Sequence, residues 1–492
     1  MRLVVGIDLG TQSLKAVVCD ERLAVLGSHS IALTTQHPRP GWAEQEPAAW
    51  EAALEPAIAG AFAAARATGA AGVDAGDVVA LAIAGQLDGC VAVDIALDGS
   101  VRPLHPALIW QDRRATVETS AVPLELTGQV ADASHMAPKI AWVKAHGIAA
   151  ARWHQPVSYL VARLTGAHVL DPAHASTTML FDLAAGAWAP ELLRQYAITP
   201  DELPSIAPAA SIAGTLQRPL AGIRTGTPVA VGTGDDFSTP LGAGASPGTL
   251  LVTLGTAEVV GALSATAIFD RPSARAANDP YTDPSPMVET HAYPTGAFFI
   301  ENPGWLSGGA VRWATRLLGL TTDAELDVLA DQAPPGADGV TFFPALAGAM
   351  TPRWDPQRRA AFEGLTASHD RPHLARAVLE GLAFACRDVA ERLASLGLAL
   401  PEALVLGGGA RSSTWLQIRA DVLQRPHHVA ARTDTSATGA AMIAAVAAGI
   451  HADLAHVVAL AERPGAAFTP RGEIAALDAA YARYQSLARR TS

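Results

Sequence analysis

Cysteine is scarce in this sequence: three residues, Cys19, Cys90 and Cys386, stand far apart among 492. An odd, scattered set with no Cys-x-x-Cys spacing excludes a disulfide framework and a cysteine zinc site, so each thiol is expected to be a small buried hydrophobe. Basic charge is also short. Lys and Arg total 35 against 47 Asp and Glu, a net charge of −12. No basic stripe is present, which excludes a nucleic-acid-binding surface. Nor is there a run of about 18 bulky apolar residues of the kind that crosses a membrane; the small-sided segment Ala440 to Ala448 soon meets His451 and Asp453. The opening MRLVVGIDLG reaches an acidic residue and a glycine without a cleavage-site pattern, so it is expected to be a strand, and the cytoplasm is the expected location.

What is present is the composition of a globular protein, 50% hydrophobic and 17% charged. The chain is too long for one core and calls for at least two domains. Apolar runs at Leu3–Ile7, Leu14–Cys19 and Ala24–Leu33, parted by short polar turns, predict adjacent antiparallel strands. Trp50, Leu54, Ile58 and Phe62, spaced by four, predict one face of a helix starting near Pro47, with Pro56 an awkward member. Val78–Ala84 predicts a further strand, with Cys90–Asp94 continuing the same sheet. In the second half, Leu250–Thr253 and Val259–Leu263 predict strands, Asp270–Pro294 a loop, and Leu374 through Leu393 a long helix capped by Asp370. Leu404–Leu406 predicts a strand, and Ile474–Leu487 a closing helix. Alternating strands and helices give an α/β class. The tripeptide Leu-Gly-Thr occurs at Leu9 and at Leu254, 245 residues apart and each between strands, which suggests duplication of one domain.

Five segments carry chemistry. Asp8-Leu9-Gly10-Thr11-Gln12-Ser13 turns between two strands and is either an ordinary hairpin or a loop offering N–H and hydroxyl groups to phosphate, with Asp8 available to magnesium. Gly232-Thr233-Gly234-Asp235-Asp236 ends a strand in two carboxylates, one of which could act as a general base or both of which could be solvated. Gly407-Gly408-Gly409-Ala410-Arg411-Ser412-Ser413 enters a helix, a structural turn or a surface for a nucleotide. Gln86-Leu87-Asp88 and Trp110-Gln111-Asp112-Arg113-Arg114 offer sugar-hydroxyl partners and a stacking face, or a surface salt bridge.

Together with GWAEQEP, APKIAWV, TLGTAEV, FEGLT and HLARAVLEGLAFA, in this order along nearly the whole chain, these segments resemble the FGGY carbohydrate kinases, xylulokinases most of all. The resemblance implies two ribonuclease-H/actin-like ATPase domains, 1–246 and 247–492, facing a central cleft. It implies that Asp235 is the catalytic base and that Asp8 organises magnesium, with Asp235 beside it. Thr11, Gln12 and Ser13, their counterparts Gly255 and Thr256, and Gly408, Gly409, Ala410 and Ser413 would bind ATP. Gln86, Leu87, Asp88, Trp110, Asp112 and Asp236 would face a small sugar substrate, and a homodimer is common in such proteins. The sequence departs from the xylulokinase pattern at Asp88, where a histidine is usual, at Asp236, where an asparagine is usual, and at Ala347–Pro352, where a Glu-Arg pair is lost. These changes disfavour an acidic sugar such as gluconate and leave D-xylulose, another ketose or a polyol such as erythritol or a pentitol. A non-catalytic actin-like ATPase, chaperone or sugar sensor is the alternative from a different class; the sugar-side segments and Asp235 speak against it.

Overall fold

The computed structural model describes residues 1–69, 72–271, 286–461, 465–472 and 475–490. They form two compact units, each with its own sheet and core. The first comprises Met1–Gly244, His291–Ala297 and Asp434–Ala461; the second comprises Ala245–Thr290, Phe298–Thr433 and Glu462–Ser492.

In the first unit the strands lie side by side in the order Ile212–Thr215, Pro228–Ala230, Val78–Gly85, Leu3–Leu9, Ser13–Asp20, Val25–Ala32. Leu3–Leu9 is antiparallel to Ser13–Asp20 and parallel to Val78–Gly85. Both central strands are buried nearly throughout, which is why they read as continuous apolar runs and not as alternating ones. Helix Pro47–Ala67 covers one face with Trp50, Leu54, Ile58 and Phe62, and accommodates Pro56 inside it. Its approach to the sheet requires glycine: a Cβ on Gly27 would lie 2.3 Å from the Ala61 carbonyl oxygen.

Helix Thr435–Ala447 also belongs to this unit, although a division at residue 246 assigns it to the second domain. Small residues explain the attachment. A Cβ on Gly6 would lie 2.0 Å from the Ala437 carbonyl oxygen, and one on Gly439 would lie 2.1 Å from that of Ser238. The Ala-rich stretch that looked too small-sided for a membrane is the surface by which a helix reaches backbone contact with a strand.

One expectation is corrected. Val91–Ile95 does not continue the main sheet but pairs with Val101–Pro103 and Arg152–His154 in a separate three-stranded sheet over a smaller core of Cys90, Leu108, Met136, Ile140 and Trp153. The turn Gln86–Gly89 breaks the direction of the chain, with Asp88 at φ +54°.

The second unit repeats the pattern. Thr249–Leu254 is antiparallel to Ala257–Ser264, which is antiparallel to Phe298–Leu306; on its other side Glu402–Leu406, then His427–Val429, run parallel to it, and Ala467–Phe468 closes antiparallel. This is the strand order and direction of the first unit again, as the repeated tripeptide suggests. Helix Arg371–Ser395 fills the core beneath the sheet. The expected loop Asp270–Pro294 contains the strand Glu289–Ala292, while 272–285 falls outside the described residues. The closing helix is Ala475–Arg489; Ile474, where it was expected to begin, is likewise outside them. All three cysteines are buried, and among the described residues no helix is long and apolar enough to cross a membrane.

Candidate active site

Register decides which side chains meet. In the first unit three strands run parallel and end together: Asp8 pairs with Ala84, Leu9 with Gly85, Thr233 with Ala84 and Gly234 with Gly85. The C-terminal edge of such a sheet is where α/β folds place their ligands. Here it brings Asp8, the Gln86–Asp88 turn and Asp235 to one edge from three distant stretches of sequence. Asp235 and Asp236 open helix Asp235–Gly242, so they sit at a helix N-terminus and not on a solvated loop. Leu87 packs over the approach to them; a Cβ on Gly234 would lie 2.1 Å from its Cδ2.

Around this edge Ser436 Oγ donates to Asp8 Oδ1 at 2.9 Å, and Lys15 pairs with Asp434. The Gln86 amide donates to Gln45 Oε1 at 2.8 Å, while its own Oε1 is buried with no partner among the described residues. Asp88 donates its N–H to Gln155 Oε1 at 2.9 Å. Thr233 Oγ1 donates to Asp171 Oδ2 at 2.8 Å, and His174 Nδ1 lies 3.3 Å from Asp171 Oδ1. Exposed Trp110 donates from Nε1 to Thr11 Oγ1 at 2.9 Å, so the stacking face and the first hairpin are held together. Gly10 N–H closes that hairpin onto the Ser13 carbonyl at 3.0 Å, and Gln12 is exposed at its tip. Asp112 is buried and both its oxygens are engaged by the fold, accepting from Ala43 N–H at 2.6 Å and from Arg114.

In the second unit Thr253 pairs with Leu406, so the Gly255-Thr256 hairpin and the glycine turn emerge side by side. The Thr256 carbonyl accepts from Ser307 and Gly309 N–H at 3.1 and 3.0 Å, and Arg312 Nη2 donates to Thr256 Oγ1 at 3.0 Å. Gly407 has φ +85°, and a Cβ there would lie 2.6 Å from the Leu254 carbonyl oxygen, so this position demands glycine twice over. At exposed Gly408 a Cβ would meet nothing nearer than 3.5 Å, leaving the backbone open to a ligand. Gly408–Arg411 forms a short 3-10 turn holding Gly409 and Ala410, and exposed Ser413 begins helix Ser413–Leu423.

The N-terminal domain model of the FGGY carbohydrate kinases matches residues 3–242, and the C-terminal domain model matches 250–448. The chain belongs to the FGGY family of carbohydrate kinases. It is 31% identical to a xylulose kinase of Escherichia coli K12 over 91% of this chain and 90% of that one. It is equally 31% identical to a glycerol kinase of Alkalilimnicola ehrlichii over 96% of this chain and 94% of that one. The solved xylulose kinase of Rhodospirillum rubrum superposes with a TM-score of 0.85 at 29% identity, covering 99% of this chain and 98% of that one. The fold is thus the two-domain actin-like ATPase fold of that family.

Electrostatics separates the carboxylates of this FGGY kinase. Burial raises Asp8 to about 6, with the Ser436 hydrogen bond and Lys15 opposing it. Asp235 is pushed well above the ordinary carboxylate range by burial, then by Asp236, then by Asp8. Asp236 rises to about 6 through burial and the charge of Asp88, against His174. A carboxylate raised in this way holds a proton more tightly and is a stronger general base.

Sequence reasoning missed His135, Lys139, Gln155, Asp171, His174, Lys15, Asp434 and Ser436. The segments Asp171-Pro172-Ala173-His174 and Asp434-Thr435-Ser436 start helices, a local signal the sequence carries, but their partners lie far off in sequence. Lys139 is wholly buried. Its Nζ donates to the Asp88 and Ile109 carbonyls at 2.8 Å each and to that of Ser134, tying together the segments that carry these three residues. Burial lowers it from 10.5 to about 8. Between those values the unfolded chain binds the proton and the folded chain releases it, so this residue's contribution to stability rises as pH rises from about 8 toward 10.5. Urea unfolding of wild type and Lys139→Met at pH 8 and pH 10 should show the wild type gaining stability relative to the variant at the higher pH; equal changes would rule this out.

Proposed function

We propose that this kinase transfers the γ-phosphoryl group of ATP to a hydroxyl of a small neutral sugar, D-xylulose first among them, giving D-xylulose 5-phosphate. The observation that carries the reading is the group of acidic side chains at one sheet edge, where the charges of Asp236 and Asp8 bear on Asp235 and that of Asp88 bears on Asp236. An anionic sugar would add like charge to this field, whereas hydroxyl groups give the carboxylates donors. Asp235, at the helix start, takes the proton of the attacking hydroxyl. Gln86, Asp88 and Asp236 accept from the remaining hydroxyls, Trp110 stacks on the carbon face, and Leu87 and Asp112 shape the surroundings.

ATP, when bound, supplies the phosphoryl group and its leaving diphosphate. The open backbone at Gly408, with Gly409, Ala410 and Ser413, fits a nucleotide; Thr11, Gln12 and Ser13, and Gly255 and Thr256, offer turn N–H and hydroxyl groups to its phosphates. Among the described residues no cluster of three or more His, Cys, Asp or Glu cages a metal. Asp8 and Asp235 alone fit magnesium, which keeps water and phosphate oxygens and takes only one or two carboxylates. Phosphoryl transfer then depends on positioning and charge neutralisation, which these groups provide.

A second reading, a polyol as acceptor, is favoured by Asp88, whose Oδ1 is buried with no partner and accepts but cannot donate. An ADP-release assay across D-xylulose, other neutral ketoses, glycerol, erythritol, pentitols and gluconate separates the two. The highest kcat/KM is expected for D-xylulose and no turnover for gluconate. A polyol ranking first would replace the first reading with the second, and gluconate turnover would overturn both.

A further inference from the structure

Asp88 is held through its backbone on both sides. Its backbone sits at φ +54°, a left-handed conformation that aspartate tolerates better than most residues. Its N–H is held by Gln155 and its carbonyl by Lys139, at 2.9 and 2.8 Å. With both backbone groups tied, the direction of its Cα–Cβ bond is set. Oδ2 meets His135 Nδ1 at 3.2 Å, and Oδ1 is buried with no partner among the described residues.

The surroundings of His135 define its charge. Nδ1 faces the Thr177 carbonyl oxygen at 2.9 Å as well as Asp88, and Nε2 faces the Val130 carbonyl oxygen at 3.1 Å. Both ring nitrogens therefore look at oxygen acceptors. A neutral imidazole has one N–H and would set the lone pair of its other nitrogen against an oxygen; the imidazolium donates from both. The adjacent carboxylate balances the cation. The other charged or titratable groups in reach are Asp132 on the loop before the ring, Lys139 on the following helix, His291, and Asp236 across Asp88. Burial brings His291 down to about 4, so it competes little for the proton.

We propose that His135 is a positioning residue for substrate selection: as an imidazolium it holds the Asp88 carboxylate turned so that Oδ1 remains a bare acceptor for a substrate hydroxyl other than the one phosphorylated. The proposal rests on the neutral polyhydroxylated substrate argued above, and it narrows that class to molecules that place a hydroxyl donor at Asp88. A buried ionised acceptor left without its donor is costly, so an analogue lacking that hydroxyl is rejected.

Two measurements test it. In ¹⁵N-histidine spectra at pH 7.5, with His135→Gln to assign the signal, both ring nitrogens of His135 should be protonated in wild type and the second proton lost in Asp88→Asn. In steady-state assays with the best sugar, His135→Gln should raise the sugar KM at least about tenfold, the scale of one hydrogen bond to a charged group, with kcat and the ATP KM little changed. Asp88→Asn combined with His135→Gln should be no worse than the worse single variant. A neutral His135 in wild type, or losses that add in the double variant, would overturn the pairing. Asp88→Asn probes the same pair from the other side should His135→Gln not fold. If wild type turns over no neutral sugar, the functional reading falls, while the spectra still decide the charge of the pair.

Discussion

Replacing Asp235 with asparagine should lower kcat by at least about 10²–10⁴-fold, the usual contribution of a positioned general base. The change is nearly isosteric, so helix Asp235–Gly242 and the packing of Leu87 against Gly234 are retained, and what is lost is the proton acceptor. Asp236 does not replace it, because it faces Asp88 and His174 and lacks the influence of Asp8 that bears on Asp235. Nucleotide binding should survive, since neither the glycine turn nor the hairpins proposed to hold ATP are altered by the change. Measuring kcat with the best sugar beside the ATP dissociation constant separates the two effects. Turnover within a few-fold of wild type would remove Asp235 from the role of base.

The second large effect concerns stability. Arg419 and Glu258 form a bidentate pair, Nη1 to Oε1 and Nη2 to Oε2 at 2.6 Å each, and both side chains are wholly excluded from solvent. Trp415 lies beneath the guanidinium, 4.4 Å from its carbon to the ring centre. Arg419→Met removes one member and leaves a carboxylate buried without its counter-charge, which costs about 3–5 kcal/mol. That is a large part of the roughly 5–15 kcal/mol that holds a domain folded. The loss should reach the hairpin as well. Glu258 also accepts from Ser307 Oγ, and Ser307 N–H holds the Thr256 carbonyl, so the ATP KM should rise. Urea unfolding gives the first quantity and steady-state kinetics the second. If Glu258→Met in the same chain restores much of the stability, the penalty is the unpaired charge; if Arg419→Met alone costs under about 1 kcal/mol, the pair contributes no more than a surface one.

Much of the fold was legible because its signals are local. The strands at Leu3, Leu14, Val78 and Leu250 announce themselves by apolar runs, and the helix at Pro47 by the four-residue spacing of Trp50, Leu54, Ile58 and Phe62. The motifs around Asp8, Asp235 and Gly407 stood out because close turns demand particular residues, as the backbone oxygens crowding Gly407 show. Cys90–Asp94 was misplaced because an apolar run names a strand but not the sheet it joins; the left-handed turn at Asp88 redirected it. The strand Glu289–Ala292 was hidden by the prolines around it.

The amino-acid sequence by itself determined a two-domain α/β architecture, because turn, strand and helix chemistry is written in neighbouring residues, and its resemblance to the FGGY carbohydrate kinases implied a kinase with Asp235 as base. Only the tertiary structure decided that three parallel strands end in register at Leu9, Gly85 and Gly234, that helix Thr435–Ala447 packs in the first unit, and that His135 faces Asp88. Those partners are separated by tens to hundreds of residues, and side chains so far apart meet only after strand register and close backbone packing have fixed where each element lies.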